Sequence, residues 1–194
     1  MKKIALLAVL VLFAGTSIFY FGGVKQIPRE EVAVPKNTDV KNLSYTVGSE
    51  AFVLTNGRSE IQSEQNSTTK NTLSIFGEPV YGDLNSDGVN DAAILLAHEP
   101  GGSGTFYYAV LAINTNGNYE ATEAMFLGDR IAPQTVEIHD GRAVYNIAIR
   151  KGTDPMTTPP SIGQSVWIHY DARTNSIGEW VKDFEGESAG AETL

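Results

Sequence analysis

The sequence predicts an all-β domain, a single antiparallel meander closed as a barrel or packed as a sandwich, behind an N-terminal transmembrane or signal helix. Three observations predict it. Apolar runs of strand length alternate with Gly- and Asn-rich turn signals over residues 43–181. No window in that region has the period of a long amphipathic helix. An uncharged apolar run, residues 4–24, comes before it.

The first 24 residues have the charge pattern of an export segment. Met1, Lys2 and Lys3 precede 21 uncharged residues, which as a helix would be about 31 Å long and would cross a hydrocarbon core of about 30 Å. An uncleaved signal anchor and a signal peptide cleaved near Ala14–Ser17 both fit this pattern. In either case the lysines stay inside, so we expect the domain in the periplasm or at the cell surface, or secreted after cleavage.

Two polar segments flank the predicted domain. Residues 25–42 mix charged side chains with two prolines and have no sustained period, which is typical of a linker. Residues 182–194 contain four acidic side chains and little that a core could bury, which indicates a flexible acidic tail. The β domain is therefore expected over residues 43–181.

Asx-Gly pairs predict the hairpins of this domain. A two-residue turn at Asp140-Gly141 places Val136 opposite Tyr145 and continues one apolar face along both strands. A second hairpin is predicted at Asn116-Gly117, and a third turn at Asn56-Gly57.

The most apolar runs predict the centre of the sheet. Residues 92–97 and 106–113 are almost continuously apolar, as expected of strands covered on both faces, and their short Gly-rich connection predicts antiparallel neighbours. Residues 165–170 and 177–181 supply late strands. Residues 150–163 contain three prolines and no strand pattern, which indicates either a functional loop or a crossover.

Charge and cysteine content narrow the function classes. The chain has 23 acidic residues, 14 basic residues and a net charge of −9, which argues against a nucleic-acid or anionic-membrane partner. Cysteine is absent, so disulfides, thiol catalysis and lipid attachment to cysteine are excluded. A bound ion is one alternative means of stabilising an exported domain.

The most informative stretch, GDLNSDGVNDA at residues 82–92, predicts a Ca²⁺ site. Oxygen donors occupy its first, third, fifth and ninth positions, and Gly88 at the sixth permits a sharp turn. A hard dication needs several such oxygens, with two or more negative charges among them. The expected ligands are the side chains of Asp83, Asn85, Asp87 and Asp91 and the main-chain carbonyl of Val89.

The segment DLNSDGVND resembles the DxNxDGxxD loops of dockerin modules and of FG-GAP repeats in integrin-type propellers. The resemblance implies the same five ligands. Ile94 stands at the twelfth position, where an EF-hand carries a bidentate glutamate, so a helix-loop-helix switch is not expected. A single copy also argues against a repeat-built fold. The competing interpretation is a plain polar turn, because Asn, Asp, Ser and Gly are also the usual turn residues.

Other residues give weaker signals of chemistry. His98-Glu99 could form an acid-base pair, and Asp129-Arg130 either a buried ion pair or a substrate clamp. Neither spacing identifies a reaction, and the three histidines lie too far apart to predict zinc. Several aromatic residues could form a sugar-binding platform or fill the core: Tyr107, Tyr108, Trp167, Tyr170 and Trp180.

These observations favour a non-enzymatic role. We expect an exported or membrane-tethered, calcium-stabilised β-domain that acts as a binding or structural module at the cell envelope. Its N-terminal helix would contact the membrane, and its partner would be an envelope protein or a glycan. The alternatives are a small exported hydrolase with its site near the calcium loop, and an inhibitor of an envelope enzyme.

Overall fold

The computed structural model describes residues 36–62 and 69–181. This part of the chain contains thirteen β-strands and one short 3-10 helix, Val40–Asn42, and all its strand pairs are antiparallel. The strands are β1 (Ser44–Val47), β2 (Glu50–Val53), β3 (Arg58–Gln62), β4 (Lys70–Ile75), β5 (Val80–Gly82), β6 (Asp91–Glu99), β7 (Phe106–Thr115), β8 (Asn118–Ala121), β9 (Met125–Asp129), β10 (Ala132–His139), β11 (Arg142–Ile149), β12 (Ile162–Asp171) and β13 (Ser176–Glu179).

These strands confirm the predicted all-β, antiparallel class, but they form three sheets instead of one continuous meander. A seven-stranded sheet has the order β3-β4-β6-β7-β8. In it, β4 and β5 pair end to end along one edge of β6, and β8 and β9 do the same along β7. A four-stranded sheet has the order β10-β11-β12-β13, and β1 and β2 form a separate hairpin.

The two longest apolar strands lie at the centre, as predicted. Residues 92–97 of β6 are all buried, and alternate side chains point to opposite faces of the sheet. Ala92, Ile94 and Leu96 pack in a core with the β1-β2 hairpin, whereas Ala93 and Leu95 pack in a second core with β11 and β12. The seven-stranded sheet is therefore covered on both faces, which explains its unbroken apolar runs.

The predicted Asp140-Gly141 hairpin is confirmed in its register. Val136 pairs with Tyr145, and His139 pairs with Arg142. Asp140 and Gly141 have φ of 49° and 70°, as a type I′ turn requires.

The other two predicted Asx-Gly pairs are also left-handed turns. Asn116 and Gly117, with φ of 55° and 76°, connect β7 to β8. Asn56 and Gly57, with φ of 53° and 82°, connect β2 to β3, which belong to different sheets. A turn signal in the sequence thus located the reversal without showing which sheet the next strand joins.

The folded region begins before residue 43, inside the predicted linker. Val40 is fully buried, and the carbonyl of Asn37 accepts a hydrogen bond from the Tyr119 N–H at 2.7 Å. Within residues 36–62 and 69–181, no helix has the length and apolar character needed to span a bilayer. The predicted signal anchor or signal peptide (1–24) and the acidic tail (182–194) lie outside the described residues, as does most of the linker (25–42).

Candidate functional site

The predicted calcium loop connects β5 to β6 and begins and ends at a strand pair. Gly82, the last residue of β5, pairs with Asp91, the first residue of β6. Leu84 is 5% exposed and packs in the core below the four-stranded sheet. The chain therefore enters and leaves the loop at fixed positions, and the loop itself carries the polar side chains.

The Asp83 carboxylate lies inside the turn of the loop. It accepts hydrogen bonds from the N–H groups of Ser86 (2.7 Å), Asp87 (3.2 Å) and Gly88 (2.9 Å). These bonds hold the pKa of Asp83 below its ordinary value, and the bond from Gly88 has the largest effect. Ser86 and Gly88 have φ of 65° and 83°, so the chain turns sharply around this carboxylate.

Asn85 and Asp87 form a second layer of hydrogen bonds. The Asp87 N–H donates to Asn85 Oδ1 at 2.9 Å, and Asn85 Nδ2 donates to Asp87 Oδ2 at 3.0 Å. Asp87 Oδ1 also accepts from the Val89 N–H at 2.7 Å. Asp87 and Val89 are exposed and Asn85 is half-buried, so this side of the loop faces solvent.

Asp91 is fully buried, in contrast to the rest of the loop. Its Oδ2 accepts from the Leu84 N–H at 2.9 Å, and its Oδ1 accepts from the Asn114 N–H at 2.8 Å. Burial raises the pKa of Asp91, and the nearby carboxylates of Asp87 and Asp83 raise it further. The two hydrogen bonds lower the pKa and so oppose this rise. A nearby cation would favour the charged form of this side chain.

Contacts from the next hairpin fix the end of the loop. Asn114 Nδ2 donates to the Asn90 carbonyl at 3.1 Å, while Asn114 Oδ1 accepts from the Gly117 N–H at 2.7 Å. Asn114 could not be predicted from the sequence, because it lies 23 residues from Asp91 and belongs to no motif.

The loop is compatible with both interpretations of its sequence. The side-chain and main-chain atoms that would ligate a metal are all oxygens, which suits Ca²⁺ and not a softer metal. Its own N–H groups also satisfy the carboxylates, as a plain turn would. Among the described residues, no set of three or more His, Cys, Asp or Glu side chains is arranged to hold a metal. The calcium site with Asp83, Asn85, Asp87, Val89 and Asp91 therefore stays a prediction.

His98 belongs to a hydrogen-bonded chain that the sequence did not indicate. Asn71 Nδ2 donates to Glu50 Oε2 at 2.8 Å, so Asn71 Oδ1 faces His98 Nε2 at 2.7 Å and requires a proton on that nitrogen. Burial lowers the pKa of His98, with the Glu50 charge opposing it. Burial thus favours the neutral imidazole, and the contact with Asn71 favours the tautomer that carries its proton on Nε2. Its predicted acid-base partner Glu99 is exposed.

The other candidate pair is an ion pair near the surface. Arg130 donates to Asp129 through Nε (2.9 Å) and Nη2 (2.6 Å), and both side chains are about one-third exposed. Residues 150–161 form the loop predicted for 150–163, whose last two residues belong to β12. Arg150, the first residue of this loop, donates from Nη1 to the Arg130 carbonyl at 2.6 Å. The pair therefore contacts the proline-rich segment.

These groups lie far from the calcium loop. Asp91 begins β6 and His98 lies seven residues further along it, which is about 23 Å in an extended strand. A hydrolase that combined the loop with His98 would need both at one pocket, so the geometry gives that alternative no support.

The predicted aromatic platform divides among three locations. Tyr107 and Tyr170 pack against the core between the two large sheets, and Tyr108 packs against the core on the opposite face of the central sheet. Trp167 and Trp180 lie together, with ring centroids 5.8 Å apart.

Comparison with known proteins does not assign the chain to a family. No family model, curated protein or solved structure matches the chain.

Proposed function

We propose that the protein is an exported or membrane-tethered β-domain, stabilised by one Ca²⁺ at the loop of residues 83–91, that acts as a binding or structural module at the cell envelope. The observation that carries the proposal is the position of Asp91. This buried carboxylate joins the loop to β6 and to the β7-β8 hairpin, so an ion that bound there would stabilise three strands.

The ligand set would be the five oxygen donors that the sequence predicts. Asp83 holds the turn, Asn85 and Asp87 lie on its solvent side, Val89 contributes its carbonyl, and Asp91 anchors the loop to the core. Bound Ca²⁺ would neutralise part of the negative charge of three neighbouring aspartates. The expected result is higher stability and not a change of fold.

Thermal unfolding of the full-length protein tests the metal. At 100 times its Kd, a ligand contributes about 2.7 kcal/mol, which raises the Tm of a domain of this size by about 5–10 °C. Asp87→Asn should abolish this shift. Glu99→Gln, which removes an exposed carboxylate from the opposite end of β6, is the matched control and should retain it. Equal Tm values in Ca²⁺ and in chelator would reject the proposal that the loop binds Ca²⁺.

The envelope location needs its own experiment. Fractionation of cells that produce the protein should place it in the membrane, or outside the cytoplasm with residues removed from its N-terminus. The mass of the mature protein distinguishes a retained anchor from a cleaved signal. A soluble cytoplasmic protein with an intact N-terminus would contradict this part of the proposal.

A further inference from the structure

The outer face of the four-stranded sheet carries both tryptophans of the chain. In β11, Ala143, Tyr145 and Ile147 point into the core, so the alternate residues point outward. Strand register continues that outer face across the sheet. We call it the tryptophan face, and its residues are Thr135, Glu137 and His139 of β10, Arg142, Val144 and Asn146 of β11, Ser165, Trp167 and His169 of β12, and Trp180 just after β13.

Aromatic rings form one half of the tryptophan face. The ring centroid of Trp167 lies 5.8 Å from that of Trp180 and 6.1 Å from that of His139. The Arg142 guanidinium lies over the Trp180 ring, 4.5 Å from its centroid. Val144, opposite Trp167 in register, is only 3% exposed. Both indoles are half-buried, so part of each ring remains open to solvent.

A continuous hydrogen-bond network forms the other half. Ser165 Oγ donates to Asn146 Oδ1 at 2.6 Å, and Asn146 Nδ2 donates to Thr135 Oγ1 at 2.8 Å. Thr135 Oγ1 donates to Glu137 Oε1 at 2.8 Å, and Glu137 Oε2 contacts His139 Nε2 at 2.7 Å. These five side chains cross three strands and supply both donors and acceptors at the surface.

The charges of the tryptophan face balance, although the whole chain is strongly acidic. Glu137 contributes one negative charge and Arg142 one positive charge, against a net charge of −9 for the chain. A neutral partner therefore suits this face better than a charged one. The five polar side chains bond one another and keep further donors and acceptors at the surface, which suits a partner rich in hydroxyl groups.

We propose that the tryptophan face binds a neutral polysaccharide. The C–H face of a sugar ring stacks on the Trp167–Trp180 pair, whose π-faces are negative, beside the Arg142 guanidinium that covers one face of Trp180. Sugar hydroxyls both donate and accept, so they match the side chains of Asn146, Ser165 and Glu137. The distance from β10 to β13 is three strand spacings, about 14 Å, which accommodates more than one sugar ring.

The proposal rests on the proposed role as a binding module but not on calcium. The two sites are nonetheless neighbours, because a Cβ built at Gly141 would lie 3.7 Å from the Asp83 carbonyl oxygen. The Asp140-Gly141 turn thus separates the calcium loop from the His139 end of the tryptophan face.

Intrinsic fluorescence tests the proposal directly, because the chain has no tryptophan outside this face. The full-length protein is titrated with hydroxyethyl cellulose, soluble β-1,3-glucan and starch, with polygalacturonate and chitosan as charged comparators. Binding of at least one neutral polymer should shift or quench the tryptophan emission and retard the protein in a gel containing that polymer. Binding of none, or of a charged polymer alone, overturns the proposal.

Variants locate the site. Trp180→Ala and Asn146→Ala should each weaken binding of the neutral polymer at least tenfold, and Trp180→Phe should weaken it less than Trp180→Ala. Phe126→Ala removes a 55% exposed aromatic from the central sheet and is the matched control, with unchanged binding expected. Equal loss in Phe126→Ala and Trp180→Ala would overturn the location.

Circular dichroism and Tm measurements confirm that each variant is folded. Titrations in Ca²⁺ and in chelator separate the two sites. If the protein binds the polysaccharide but its Tm does not depend on Ca²⁺, only the calcium proposal is rejected. If its Tm depends on Ca²⁺ but it binds no neutral polysaccharide, only the polysaccharide proposal is rejected.

Discussion

The hydroxyl group of Tyr145 donates a hydrogen bond to the main-chain carbonyl of Ile94 at 3.1 Å, which joins the four-stranded sheet to the central sheet through their shared core. A second acceptor, the carbonyl of Val110, lies at the same distance. Tyr145 is fully buried, and burial raises its pKa far above the ordinary value, so the hydroxyl stays protonated.

Tyr145→Phe should lower the free energy of unfolding by about 1–2 kcal/mol, because it removes the donor but keeps the ring and its packing. Urea unfolding monitored by circular dichroism measures the change. Tyr170→Phe is the matched control, since the Tyr170 hydroxyl bonds to the exposed Asn175 side chain at 3.0 Å. Equal losses in the two variants would show that the buried hydroxyl has no special role.

Asp91→Ala should destabilise the protein by about 3 kcal/mol even in chelator. The substitution leaves the N–H groups of Leu84 and Asn114 without an acceptor in the interior. Asp87→Ala, on the solvent side of the same loop, should have a much smaller effect in chelator. Chemical unfolding of both variants without metal would therefore separate the structural role of Asp91 from any role in binding an ion.

The pH dependence of stability should include a contribution from His98. Burial lowers its folded-state pKa below the ordinary value of 6.5. Between these two pKa values the unfolded chain binds more protons than the folded protein, so stability falls as the pH falls from about 6.5 towards the folded pKa. His98→Gln should remove this slope from a series of Tm measurements over that range.

The same assignment can be checked on the imidazole itself. Nitrogen chemical shifts should show a proton on Nε2 of His98, because Asn71 Oδ1 accepts there. Asn71→Ala should release this tautomer preference. A folded-state pKa above 6.5, or a proton on Nδ1 in the wild-type protein, would contradict the proposed hydrogen-bonded chain.

Gly141→Ala should cost about 1–2 kcal/mol, because a side chain at φ of 70° is strained in the second position of the turn. The affected hairpin lies beside the calcium loop, so the variant also tests whether the two are coupled. Gly152→Ala is the control, since a Cβ there would meet no atom within 4 Å and φ is outside the left-handed region. Similar Tm values for both variants would argue against backbone strain at Gly141.

Local patterns in the sequence predicted local structure well. The Asp140-Gly141 pair specified both a turn and a register, because only a left-handed two-residue turn joins two such strands tightly. The unbroken apolar run of β6 predicted burial on both faces, which the structure confirms. In each case the information lies within a few neighbouring residues.

Long-range relationships were not predictable in the same way. Glu50, Asn71 and His98 lie on three strands of two sheets, and no spacing in the sequence connects them. Asn114 is joined to Asp91 only because β6 and β7 pair side by side. The calcium loop was recognisable because all its donors come from one short segment, whereas the tryptophan face needed the registers of four strands.

The end-to-end pairing along β6 and β7 also bears on self-association. A long, straight strand at a sheet edge offers its free N–H and C=O groups to any similar chain, which is a common route to aggregation. Here β5, β8 and β9 occupy edges of the central sheet, and they are only three to five residues long. Another chain that approached the central sheet along β5, β8 or β9 would find few consecutive main-chain partners before the strand ended, so these edges resist edge-to-edge pairing through their shortness.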